Sequence, residues 1–126
     1  MKIKIFALTH KKFEVPQDKM YQPLQVGREE KEDLGYLCDN TGDNISAENC
    51  YYSELTGLYW IWKNVHTYKY VGTCHYRRYL LNEQEKIFTE AEYLKLLKDY
   101  DLITTKRVVL NNSYHYGFAT NHNIHA

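Results

Sequence analysis

Lys69-Tyr70-Val71-Gly72-Thr73-Cys74-His75-Tyr76-Arg77-Arg78-Tyr79-Leu80-Leu81 decides the fold. Tyr68 to Cys74 has the apolar, β-branched character of a short buried strand. A cluster of polar and cationic side chains, His75 to Tyr79, falls where that strand should end. In open α/β sheets ligands sit at the ends of strands, so an imidazole beside two guanidiniums reads as an anion site. Guanidinium forks match phosphate oxygens, and His75 with Arg77 and Arg78 would suit a diphosphate. If the strand period persists, His75 and Arg77 share a face and Arg78 points the other way. The competing reading pairs both arginines with Glu83 and Glu85 at the surface.

Working outward, Lys2 to Leu8 alternates around Ile3, Ile5, Phe6 and Leu8, a first strand with Thr9 and His10 at its exit. Pro16 and Pro23 make the segment from Glu14 to Gln25 extended, with at most a short strand near Tyr21 to Val26. Arg28 to Asp33 is charged and exposed. Asp39-Asn40-Thr41-Gly42-Asp43-Asn44 is a strong turn signal.

From about Tyr52 to Asn64, Leu55, Leu58, Tyr59 and Trp62 recur at helical spacing, predicting an amphipathic helix with that stripe inward. Gly57 costs such a helix up to about 1 kcal/mol against Ala, which suggests a close approach by another backbone. Thr89 and Glu92 form a capping box, and Phe88 and Tyr93 occupy the positions of a hydrophobic staple. That predicts a second helix with Tyr93, Leu96, Leu97 and Tyr100 inward, then a short strand from Leu102 to Thr105. The order of elements implies an α/β fold with a mostly parallel sheet and crossover helices.

The chain has 126 residues and equal numbers of acidic and basic side chains, 16 of each. One domain, or part of one, fits that length. Zero net charge argues against an extended nucleic-acid footprint or a polybasic membrane anchor, so any anion site must be local. Tyr is abundant, at 13 residues. Its ring and hydroxyl suit half-buried cores as well as surfaces that stack on sugars or bases. Cys38, Cys50 and Cys74 form no metal or disulfide spacing, which fits a reducing cytosol. No leader pattern or membrane-length apolar run is visible, and the sequons at Asn44 and Asn111 read as accidental.

Asp39, Asp43 and Asn44 offer hard oxygen ligands at a turn, but the register of a calcium loop fails, since its closing Glu would fall on Cys50. A hydrogen-bonded turn, sugar-hydroxyl recognition and a divalent-ion site all stay open there. Glu54 either caps the first helix or faces the strand ends. His115, His122 and His125 lack zinc spacing. From Val108 the sequence is polar and turn-rich, without a stripe to cover a sheet face. That suggests a portion truncated at its C-terminus, prone to self-association as a homo-oligomer.

Four segments, residues 2–18, 21–27, 41–64 and 70–80, together resemble an uncharacterised glycosyltransferase-like family of bacterial capsular and exopolysaccharide gene clusters. Among them are TGDNISAENCYYSELTGLYWIWKN and YVGTCHYRRYL. The resemblance covers about residues 1–105. It implies a GT-A-like fold, a nucleoside-diphosphate sugar donor, a saccharide acceptor that can be lipid-linked, and a cytoplasmic setting at the inner face of the membrane. By resemblance and placement together, His75, Arg77 and Arg78 would hold the donor diphosphate. Thr9 and His10 would touch the nucleotide, and Asp43, Asn44, Glu54 and Tyr76 the donor sugar. The family's fold normally carries an Asp-x-Asp motif that binds Mn or Mg. Here the comparable strand ends in cationic side chains, which could replace the ion. The rival of another class is a non-catalytic carbohydrate-binding or scaffold domain; a phosphate-ester hydrolase using the same cluster is a second.

Overall fold

The computed structural model describes residues 2–105. Four strands form one parallel sheet: β1 (Ile3–Thr9), β2 (Tyr21–Gln25), β3 (Leu37–Cys38) and β4 (Tyr70–His75), in the order β3-β2-β1-β4. Between β3 and β4 lie a one-turn helix α1 (Asn49–Tyr52) and α2 (Leu55–Asn64); α3 (Glu90–Leu96) follows β4. This is the mostly parallel α/β architecture expected from the order of elements.

β1 is the central strand, and all but one of its residues are buried. Covered on both faces, it reads as a continuous apolar run, as parallel sheets require. On one face Phe6, Leu8, Leu24 and Val26 pack against Trp60 and Ile61 of α2. On the other, Ile3, Ile5, Met20 and Tyr21 pack against Tyr93 of α3. The capping box forms as the sequence indicates: Glu92 N–H donates to the Thr89 hydroxyl and Thr89 N–H donates to the Glu92 carboxylate. Phe88 and Tyr93 stack with centroids 5.0 Å apart, closing the staple.

Three expectations need correction. The stripe of α2 is rotated: Thr56, Gly57, Trp60 and Ile61 are buried, whereas Leu55, Leu58 and Trp62 are exposed. The helix also starts at Leu55, because Ser53 adopts φ 51° and separates it from α1. Leu102 to Thr105 forms no strand, and Tyr100 lies exposed beyond the end of α3. The expectations placed on residues 106–126, including His115, His122 and His125, fall outside the described residues.

Gly57 is where α2 presses on the sheet. A Cβ there would sit 2.6 Å from Val26 Cγ1 and 3.0 Å from Leu8 Cδ2. The close approach is therefore to sheet side chains rather than to another backbone. Gly57→Ala should destabilise the fold by about 1–3 kcal/mol through overpacking. In urea denaturation, Val26→Ala added to Gly57→Ala should recover part of that loss, as coupled neighbours do.

Candidate functional site

The carboxyl ends of β1, β2 and β4 lie side by side, because Thr9 registers with Gln25 and Leu8 with His75. The ladder runs one step further on each side, through Val26 N–H to Thr9 O and Tyr76 N–H to Leu8 O. Past His75 the strand period stops: Arg78 N–H donates to His75 O in a tight turn, so Arg77 and Arg78 project from a bend.

Tyr76, only 5% exposed, is the centre of the arrangement. The His75 ring lies 4.4 Å from its centroid and the His10 ring 5.5 Å, edge-on. Phe13 packs at 5.7 Å and in turn meets Tyr36. The Arg77 guanidinium and the Lys11 ammonium sit over the Tyr76 ring at 5.2 and 5.6 Å. Tyr76 thus arrays the polar groups around it; its covered ring is not a sugar-stacking surface. Thr9 is turned inward, its hydroxyl bonded to both backbone groups of Lys11, so it shapes the turn that presents His10. Lys11, Phe13 and Tyr36 escaped the sequence reasoning, since their partners are remote in the chain.

Glu54 does not cap α2 with its side chain. It faces the site, with Oε1 3.4 Å from His75 Nε2. Arg77 N–H approaches His75 Nδ1 at 3.3 Å. These two contacts fit the neutral tautomer that carries its hydrogen on Nε2. Burial holds the His75 pKa below the ordinary imidazole value; Glu54 pulls it up, while Arg77, Arg78 and His10 push it down. Among the described residues neither Arg77 nor Arg78 forms an ion pair, so the pairing with Glu83 and Glu85 is not adopted. Cys74 points to the opposite face, where burial pushes its thiol pKa up to about 12 and keeps it out of nucleophilic chemistry.

The turn after β3 is not part of this cluster. Asp43 accepts a hydrogen bond from Tyr59 OH at 2.8 Å, and its carbonyl accepts one from Asn64 Nδ2 at 2.8 Å. Asn64 ends α2, roughly 15 Å along the axis from Glu54 at 1.5 Å per residue. Asn44 folds back on the same turn, its side chain bonding Gly42 O and Ser46 N–H. Asp43 and Asn44 are therefore placed away from the strand ends.

Asp39 is fully buried and accepts four hydrogen bonds: from Gly27 N–H, Arg28 N–H, the Ser46 hydroxyl and the Thr56 hydroxyl, at 2.6–3.1 Å. Its lone pairs are engaged by donors, which excludes it as a ligand for a divalent ion. Among the described residues, the groups clustered around His75 and Tyr76 at the strand ends are imidazoles, guanidiniums, an ammonium and one carboxylate. That set does not fit the hard oxygen coordination of Mg or Mn. Asp39→Ala should lower unfolding free energy by about 3–5 kcal/mol, as breaking a buried charged network does. Urea denaturation in metal-free buffer is the check: a residue serving only as a cation ligand would leave that stability unchanged.

A family model described as a domain of unknown function, DUF4422, matches residues 4–126. No curated protein matches the chain. A solved structure, titled "WbbM bifunctional glycosytransferase apo structure", is similar at 42% identity and a TM-score of 0.60. The similarity covers 64% of this chain and 14% of that one, so the chain spans a small part of that protein's length.

Proposed function

The chain belongs to the DUF4422 family, and on that footing we propose that it is a glycosyltransferase domain using a nucleoside-diphosphate sugar in capsular or exopolysaccharide assembly. One observation carries this reading: His10, His75, Arg77 and Arg78 converge at the carboxyl ends of β1 and β4, in a chain 42% identical over 64% of its length to a segment of a bifunctional glycosyltransferase. Strand ends of a parallel sheet are where such ligands bind.

The donor diphosphate lies against Arg77, Arg78 and His75, and the nucleotide runs past His10 above the turn that Thr9 shapes. Glu54, the carboxylate that contacts the cluster among the described residues, accepts a hydroxyl of the donor sugar. Transfer is a displacement at the anomeric carbon. The acceptor hydroxyl forms the new C–O bond and gives up its proton to solvent, the bond to the diphosphate breaks, and the diphosphate leaves with the electron pair. Guanidiniums fixed where negative charge develops lower that barrier electrostatically. Asp43 and Asn44, tied to the far end of α2, take no part in this arrangement. The acceptor is a saccharide, free or lipid-linked.

Charge-assisted hydrogen bonds contribute about 1.5–3 kcal/mol each, so Arg77→Ala should weaken UDP binding about tenfold or more by calorimetry. Unchanged affinity in a folded variant would sink the assignment.

The pH dependence has a definite sign. In the free protein His75 is held below its ordinary pKa, and a diphosphate beside it stabilises the imidazolium. UDP should therefore bind with net proton uptake, and tighten as pH falls through the range between the free and bound pKa values of His75. Calorimetry in buffers of different ionisation enthalpy reads that uptake directly. Folding responds oppositely: burial of neutral His75 contributes stability at higher pH that is lost as pH falls through its depressed pKa.

Because cations replace the expected carboxylate pair, UDP affinity should be the same with EDTA as with Mn. Loss of binding on chelation and its return with Mn would overturn the cation-only site.

A further inference from the structure

The Glu54–His75 contact depends on an unfavourable backbone conformation. Ser53 has φ 51° and ψ −127°. Glu54 follows at φ −66° and ψ −14°. These are the dihedrals of a type II′ turn, whose first position ordinarily requires glycine. A residue with a Cβ stays there only when its surroundings hold it, at a cost of about 1–3 kcal/mol.

The hold comes from Asn49. Its Nδ2 donates to Ser53 O at 2.7 Å and to Thr56 Oγ1 at 3.0 Å. Ser53 N–H donates back to Asn49 O at 2.8 Å. The proton count closes around these bonds. Thr56 has one hydroxyl hydrogen, and the short contact to the Asp39 carboxylate at 2.8 Å takes it. Ser53 O then accepts from the Asn49 amide at 2.7 Å and, at a longer 3.3 Å, from the Thr56 backbone N–H, and both Nδ2 hydrogens are used. The amide is itself fixed by packing, since a Cβ on Gly27 would lie 2.5 Å from Asn49 Cγ.

We propose that Asn49 is a positioning residue: anchored through Thr56 to Asp39, its carboxamide locks Ser53 at positive φ and so aims the Glu54 carboxylate at His75. The buried network and the strand-end cluster are then one connected device. Its use in sugar transfer rests on the function proposed above; the positioning itself does not.

The test reads the His75 imidazole by NMR titration, assigned with His75→Gln. Among the described residues, the charged and titratable groups around His75 are Glu54 from the turn just before α2, His10 from the β1 exit, and Arg77 and Arg78 from the bend after β4. Glu54→Gln removes the group that raises the His75 pKa, so that pKa should fall. Asn49→Ala, which changes no charge, should lower it by the same amount, and combining the two should add nothing further. Ser53→Gly in the Asn49→Ala background should restore the wild-type titration, because glycine takes the positive φ without cost. It also provides a folded variant should Asn49→Ala alone unfold.

A purely structural Asn49 would lower thermal stability in Asn49→Ala while His75 titrated as in wild type. That result, or a failure of Ser53→Gly to restore the titration, overturns the proposal. The readout needs no donor or acceptor. Failure of UDP to bind would count against the proposed function and leave the positioning result standing.

Discussion

The carboxylate of Asp39 is the point on which the loops of this fold are hung. It is removed from water, a state tolerable only because four donors surround it. Those donors come from three places: the backbone after β2, the turn at Ser46 and the first turn of α2. Each is thereby fixed relative to the others. The start of α2 is set against the carboxyl end of β2, and through the parallel ladder against the ends of β1 and β4. Gly57 then permits the helix to come down onto Leu8 and Val26.

That constraint explains which parts of the structure were legible in the sequence. β1 and β4 were legible because an apolar run between turn signals has few other uses in a short chain, whereas β2, Tyr-Gln-Pro-Leu-Gln, was legible only as an extended segment with at most a short strand. α3 was legible because a capping box and its staple are local, complete within six residues. The inward face of α2 was not. Hydrophobic periodicity marks Leu55, Leu58 and Trp62, but the sheet takes Thr56 for its hydroxyl and Gly57 for its lack of a side chain. Both requirements originate in residues far away in sequence, Asp39 in one case and Val26 in the other. For the same reason Asp39 read as a turn residue or a cation ligand, and Asn49 and Ser53 did not register at all.

The electrostatics of the strand ends follow from the same placement. A chain of zero net charge gathers His10, Arg77 and Arg78 around the half-buried His75 imidazole and Lys11 over the neighbouring Tyr76 ring, with Glu54 the one carboxylate acting on that imidazole among the described residues. Two guanidiniums without an ion-pair partner among the described residues cost the fold little, since exposed ion pairs contribute about 0–1 kcal/mol in any case. Among the described residues no carboxylate occupies their forks, so their donors stay open to solvent. Pairing with Glu83 or Glu85 would have added almost nothing to stability and occupied the forks.

The outward stripe of α2 needs a separate account. Leu58 and Trp62 line a cavity of about 700 Å³ with Val71, Thr73 and His75, and the same cavity continues around β4 to Tyr21, Tyr93 and Leu97. Among the described residues β4 pairs only with β1, so its other edge carries unpaired backbone groups between two apolar flanks. The helical periodicity of Leu55, Leu58 and Trp62 was thus a true hydrophobic signal with the wrong target assigned to it. It describes the flank of a sheet edge that no other described strand covers, whereas the sheet-facing side of α2 was chosen for fit and hydrogen bonding. A helix beside an edge strand can carry two faces of consequence, and periodicity alone does not say which one meets the core.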